Sequence, residues 1–229
     1  TRPDGNAVES LSLNAAAMTA ASGAGLTVSY TSGTGVLSIT GLATKAVYQS
    51  ILQGILYNDT SDTPTTSNRS ITVVANDGAT PSAAQTVTLT VAAVNDAPTA
   101  TNLSAAETYV EDTALNLIDI VASDVDSASV TVTLTLSDVA AGSLNTGSSG
   151  AVTSTFVGGV WTASGAKADV NALLAGLTFT PALDYSSNFT IATTVSDGVA
   201  PAITGSKVFT GTAVDDQPVA VDDLATTAE

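Results

Sequence analysis

The sequence predicts an all-β chain made of tandem β-sandwich domains, each with one short helical turn. Three observations predict this. The sequence repeats: Val94-Asn95-Asp96-Ala97-Pro98 returns as Val214-Asp215-Asp216-Gln217-Pro218, 120 residues on, and Ile71, Asp77-Gly78 and Pro81 match Ile191, Asp197-Gly198 and Pro201 at the same spacing. A period that long is one small domain, not a solenoid unit. Short runs alternate apolar and polar residues with the period of a half-buried strand. The bulk of the chain is Thr, Ser, Ala, Val and Gly, with mean hydropathy +0.33, which favours strands and turns and opposes disorder.

The elements follow in order. Leu11-Ser12-Leu13 matches Leu134-Thr135-Leu136, and Val36 matches Val160, so the first repeat follows the second through most of its length. Tyr48, Ile51, Leu52 and Ile55 fall at helical spacing with Gly54, and the second copy repeats the device in Val170, Leu173, Leu174 and Leu177 with Gly176. These predict a short helical turn that bridges two strands. Val87, Leu89 and Val91 line one strand face before the first boundary. In the second copy, Val130, Val132, Leu134 and Leu136 share a face, as do Phe189, Ile191 and Val195. Gly147-Ser148-Ser149-Gly150, Gly158-Gly159 and Asp197-Gly198 supply turns between runs. Thr1 falls near Asp124 in the alignment. The predicted organisation is therefore 1–97 as repeat one without its first strand, 98–217 as repeat two, and 218–229 as the start of a third copy or a linker. Glu229 would stand where Glu111 stands. The pattern is already under way at Thr1, so the chain reads as part of a longer protein.

Charge narrows the function. There are 5 basic and 21 acidic residues, net −16, which repels nucleic acid and anionic membrane. No apolar run is long enough to span a bilayer, so membrane insertion of this segment is not expected. With no cysteine there are no disulfides and no thiolate metal sites, and with no histidine the commonest general base is missing. No nucleophile elbow, phosphate loop or dinucleotide fingerprint is present. Asp59 and Asp62 could pose as a catalytic acid pair, but the loop around Pro181 and Asp184 does not reproduce them, and they read as turn residues. The chain is not expected to be an enzyme.

Most acids gather near the repeat boundaries. Asp77, Asn95, Asp96, Glu107, Glu111, Asp112, Asp124 and Asp126 surround the first; Asp197, Asp215 and Asp216 surround the second, with Asp222, Asp223 and Glu229 beyond. Like charges set so close repel unless a cation neutralises them. Calcium suits such a set, because it takes six to eight oxygen ligands in flexible geometry, whereas magnesium demands a stricter octahedron. The plainer alternative is a group of solvated loop acids, with Asp-Gly as a simple turn.

In this order and spacing, the linker Val94–Pro98, the Glu111-Asp112-Thr113 entry, the Ser123–Asp126 loop, the segment Asp169–Leu177 and the strand end Val195–Gly198 resemble cadherin-like tandem repeats of large bacterial surface proteins. Repeat one also resembles chondroitin-sulfate-proteoglycan-type repeats through Tyr57–Pro64 and Arg69. The resemblance implies Ig-like sandwiches, an extracellular location and calcium held between neighbouring domains. Asp96, Glu111, Asp124 and Asp126 would be ligands, with Asp77 and Asn95 as further candidates. It implies calcium-stiffened extender repeats of an adhesin, whose partners are neighbouring repeats of the same chain. Two alternatives stay open: a subunit of an extracellular filament, sheath or biofilm matrix that meets like chains, and a carbohydrate- or receptor-binding module. Aromatics make up only 4%, and Trp161 aligns with Leu37, which assigns it to the core.

Overall fold

A computed structural model describes residues 1–218. Of the third copy expected from 218 onward, residues 219–229, with Asp222, Asp223 and Glu229, lie outside the described residues. The chain divides into two units, Thr1–Val94 and Asn95–Glu229. Both are built from strands, as the sequence predicts. Among the described residues, no helix is long and apolar enough to cross a membrane.

Unit 1 contains β1 (Glu9–Leu13), α1 (Ala15–Gly23), β2 (Thr27–Thr31), β3 (Val36–Thr40), α2 (Lys45–Leu52), β4 (Ile55–Asp59), β5 (Arg69–Val73) and β6 (Gln85–Leu89). Its strands form three separate antiparallel pairs, β1 with β4, β2 with β3 and β5 with β6. The predicted helical turn is α2, whose Ile51 is fully buried. Helix α1 was not expected. The Ala15–Ala21 run has high helix propensity, and Asn14 caps it by accepting from the Ala17 amide at 2.8 Å. The core is small: Leu13, Ala17, Ala21, Leu26 and Ile51. Val87, predicted to line a packed face, is 54% exposed, because no strand in the unit flanks β6 on its far side.

Unit 2 contains β7 (Thr99–Thr101), β8 (Glu107–Val110), β9 (Leu115–Asn116), β10 (Val121–Ser123), β11 (Ser129–Leu136), β12 (Gly142–Leu144), β13 (Ser148–Ser149), β14 (Val152–Thr153), β15 (Thr155–Val157), β16 (Val160–Ala166), α3 (Lys167–Ala175), β17 (Thr178–Pro181), β18 (Phe189–Ser196) and β19 (Ile203–Thr212). One sheet has the order β15-β16-β11-β18-β19-β8, with only β8 and β19 parallel, and the facing sheet is β12-β17-β9. Strand β11 is central. Its Val130, Val132, Leu134 and Leu136 are buried as the alternation predicts, and so are Phe189, Ile191 and Val195 of β18. Trp161 is buried and donates from its indole to Asn145 O at 3.0 Å, so it is a core residue. Phe189 and Phe209 stack at 4.6 Å, with Tyr109 and Phe179 edge-on beside them. Each such side chain contributes roughly 1.5–3 kcal/mol by burial.

The two units correspond less completely than the sequence match suggests. Strand β1 does not take the place of β11. Leu11 pairs with Tyr57 on β4, as Leu144 of β12 pairs with Phe179 on β17. Unit 1 therefore has no counterpart of β11, in addition to the strands before it.

Candidate cation-binding sites

Strand direction sorts the acids of unit 2 to opposite ends of its sheet. At the end where the chain enters, Asn95 and Asp96 lie against two turns, one from β10 to β11 and one from β18 to β19. The Asn95 side-chain amide donates to Asp197 Oδ2 at 2.5 Å, and the Asp96 main-chain amide donates to Asp126 Oδ2 at 2.8 Å. Asp124 Oδ1 accepts from the Ser127 amide at 2.7 Å and the Asp126 amide at 3.1 Å, which folds the turn around its carboxylate. Asp124 is only 5% exposed, and its Oδ2 is buried with no hydrogen-bond partner.

Helix α3 positions this turn. Asn171 bonds the Ala122 amide and carbonyl of β10 at 2.9 Å each. The Lys167 ammonium donates to the main-chain carbonyl of Asp124 and not to its carboxylate. Asp197 Oδ1 accepts from the Val199 and Ala200 amides at 3.0 Å. The Asn95 bond and these amides hold its carboxyl below the usual range, so it stays ionised. Among the described residues the ion pairs belong to Arg69 and Lys207, so Asp96, Asp124, Asp126 and Asp197 share one end without a paired cation.

At the exit end, Glu111 is buried and accepts from the Val214 amide at 2.5 Å. Asp112 and Asp184 both take left-handed backbone conformations, φ 59° and 57°, and the Asp184 amide donates to Asp112 Oδ1 at 3.2 Å. One carboxylate oxygen from each of Asp112, Asp184 and Asp216 lies within 4.8 Å of the others. Desolvation and the charges of Asp184, Asp112 and Glu111 push Asp216 above the ordinary carboxylate value. Asp184 was not a sequence candidate; its left-handed position between Leu183 and Tyr185 has no motif to mark it.

Unit 1 carries a third cluster, built around an arginine. Asp4, Glu9 and Asp59 converge on the fully buried guanidinium of Arg69. Arg69 Nε meets Glu9 Oε1 at 2.7 Å, Nη2 meets Asp59 Oδ2 at 2.9 Å and also Asp4, and Nη1 donates to Thr65 O and Ser67 O. Burial pushes the Glu9 carboxyl up, but hydrogen bonds from Tyr57, Arg69 and the Asp4 amide hold it below its usual value. Here a side chain stands where a metal ion could.

The distribution differs from the sequence expectation. Glu111 and Asp112 are brought to Asp216 at the exit end and not to Asn95, Asp96, Asp124 and Asp126. Asp197 joins Asn95 and not Asp215 and Asp216. Asp77 accepts from the Ala79 and Thr80 amides of its own turn, which hold it below its ordinary value. That turn precedes β6, which then carries the chain away toward Val94. Asp77 is thus not placed by the linker end of its hairpin. Asp215 has no partner role in either set.

No family model matches the chain, and no curated protein matches it. Among solved structures it is similar to extracellular cadherin domains 1–5 of protocadherin gamma B2, at 16% identity and a TM-score of 0.39, covering 66% of this chain and 27% of that one. It is similar to protocadherin gammaB7 EC3–6, at 15% identity and a TM-score of 0.40, over 90% of this chain and 41% of that one. Human mucin-like protocadherin EC1–2 aligns over 93% of this chain and 87% of its own, at 16% identity and a TM-score of 0.38. At these identities and scores the likenesses bear on neither ligand nor partner, which rest on the residues of the chain itself.

Proposed function

We propose that this chain is a pair of extender repeats from a large bacterial cell-surface or secreted adhesin, and that calcium stiffens the array by binding at the ends of its units. The observation that carries the reading is Asp124 Oδ2, a buried carboxylate oxygen without a donor, in the turn whose Asp126 accepts from the Asp96 amide. A buried polar oxygen left without a hydrogen bond is costly. The side chains of Asp124, Asp126 and Asp197 offer carboxylate oxygens, the ligand type a hard divalent cation requires. Asn95 and Asp96 belong to the linker segment, so an ion held there would also restrain the linker. At the exit end, Asp112, Asp184 and Asp216 would take an ion whose charge offsets their repulsion. In unit 1 the Arg69 guanidinium offsets part of the charge of Asp4, Glu9 and Asp59. The role is structural and binding, outside the cell, with neighbouring repeats as partners.

Thermal unfolding in millimolar calcium, magnesium or chelator tests the reading. A rise in the unit 2 midpoint specific to calcium, lost in Asp124→Asn, is the expected result. Equal midpoints in all three conditions would sink it. Saturation at 100 Kd corresponds to about 2.7 kcal/mol of added stability, several degrees for a domain of this size.

A further inference from the structure

The turn that carries Asp124 is held by one residue of another element, Lys167, at the first position of α3. The Lys167 main-chain amide donates to Ala128 O at 3.1 Å, and its ammonium donates to the Asp124 carbonyl. A single residue thus ties both ends of the segment 124–128. A main-chain carbonyl is a ligand that a hard divalent cation takes, and at Asp124 a tethered cation already occupies it. Among the described residues the ion pairs belong to Arg69 and Lys207, so no carboxylate in direct contact cancels the Lys167 charge.

Asp124 therefore presents oxygens in opposite states. Its carbonyl meets a positive charge, while its carboxylate Oδ2 is buried and meets no donor. A divalent ion that enters at Oδ2 approaches the Lys167 charge as well. Lys167 is half-buried, so water screens that charge incompletely. Two effects then act in the same direction. Like charges repel, and the Asp124 carbonyl is withdrawn from the set of oxygens open to the ion. In the absence of an ion, the same two bonds keep the turn folded.

We propose that Lys167 sets the affinity of the entry-end cation site, by holding the Asp124 carbonyl with a charge that weakens divalent binding beside it. The inference rests on the reading of Asp124 as a calcium ligand. A single and a double positive charge about 6 Å apart repel by about 1.4 kcal/mol in bulk water, which is about tenfold in affinity. The lysine therefore exchanges tight binding for a turn that is formed before the ion arrives. The site fills where calcium is abundant, and empties where it is scarce without unfolding the segment 124–128.

Calorimetric titration of calcium chloride into the whole chain tests this, with Asp124→Asn marking which binding component belongs to the entry end. Lys167→Met keeps most of the stem and removes the charge, whereas Lys167→Arg keeps the charge. The component lost in Asp124→Asn should bind about tenfold tighter in Lys167→Met, and within about twofold of the unaltered chain in Lys167→Arg. The gain in Lys167→Met should shrink as sodium chloride is added, which a purely structural role of the lysine would not produce. Lys167→Gln keeps a donor for the Asp124 carbonyl without the charge; it carries the same expectation and serves if Lys167→Met does not fold. Equal or weaker calcium binding in the folded neutral variants overturns the proposal and leaves the calcium reading standing. If Asp124→Asn loses no binding component, the calcium reading itself fails and the proposal falls with it.

Discussion

Glu9 in unit 1 and Asp124 in unit 2 are both carboxylates withdrawn from water, at 1% and 5% exposure, and their surroundings decide opposite behaviours. Glu9 receives Arg69 and the Tyr57 hydroxyl, the latter at 2.7 Å. Asp124 is left with an oxygen that no donor reaches. The Arg69 cluster carries its own pH signature. Burial, and the hydrogen bond donated to Glu9, push the Tyr57 phenol up to about 12 from its usual 10. A phenol raised on folding contributes stability fully below pH 10, and that contribution is lost as pH rises to about 12. Glu9 and Asp4 are shifted the other way, below their ordinary 4.5 and 3.8, so their contribution is present above those values and is lost as pH falls through the lower folded values. Urea titrations of unit 1 at neutral pH and at pH 11 should show a lower midpoint at pH 11. Tyr57→Phe should remove that alkaline loss while lowering the neutral midpoint; an alkaline slope unchanged in the variant would refute the assignment. Lys207 is a simpler case. It is fully buried against Glu107 at 2.7 Å, so Lys207→Met leaves an unpaired buried charge. Such a break costs roughly 3–5 kcal/mol, readable as a fall in the unit 2 denaturation midpoint.

The elements show what could be read from the sequence and what could not. The β11 alternation, the Phe189–Val195 face and the positions of α2 and α3 follow directly from period, because side-chain direction repeats every two or 3.6 residues. Helix α1 escaped detection because alanine and threonine carry almost no amphipathic contrast; only its propensity and the Asn14 cap mark it. The acids themselves were legible, but their allocation to ends was not. An acid near a boundary in sequence can lie at either end of a strand, and β8 runs parallel to β19, which carries Glu111 to the exit end beside Val214. Asp197 sits on the turn from β18 to β19 and so returns to the entry end. The exit set has a testable consequence. Asp216 is shifted upward, so its protonated form is favoured on folding and its charge opposes folding at neutral pH. Asp216→Asn should raise the unit 2 midpoint in chelator by a small amount, since these groups remain wet, and should reduce the gain from added calcium. A lower midpoint in chelator would instead make Asp216 a stabilising residue.

For the whole molecule, the surplus of 21 acids over 5 bases sets the background against which any linker ion acts. Repulsion between like-charged units is screened over about 8 Å at physiological ionic strength. Monovalent salt should therefore soften long-range repulsion without satisfying a buried oxygen. An ion at Asp124 would act differently. Asp126 already accepts from the Asp96 amide, and Asp197 from the Asn95 side chain, so two turns of unit 2 grip the linker before any cation arrives. Coordination of Asp126 and Asp197 carboxylate oxygens would fix the acceptors of those hydrogen bonds and so remove freedom from residues 95 and 96. Small-angle scattering separates the two effects. Millimolar calcium should narrow the distribution of interdomain distances relative to chelator at the same ionic strength. Raising sodium chloride in chelator should not reproduce the narrowing, and Asp124→Asn should lose it. If sodium chloride matches calcium, screening accounts for the change and the linker site has no stiffening role. If Asp124→Asn responds as the unaltered chain does, the ion that stiffens the array is held elsewhere, and the exit-end set of Asp112, Asp184 and Asp216 becomes the position to substitute next.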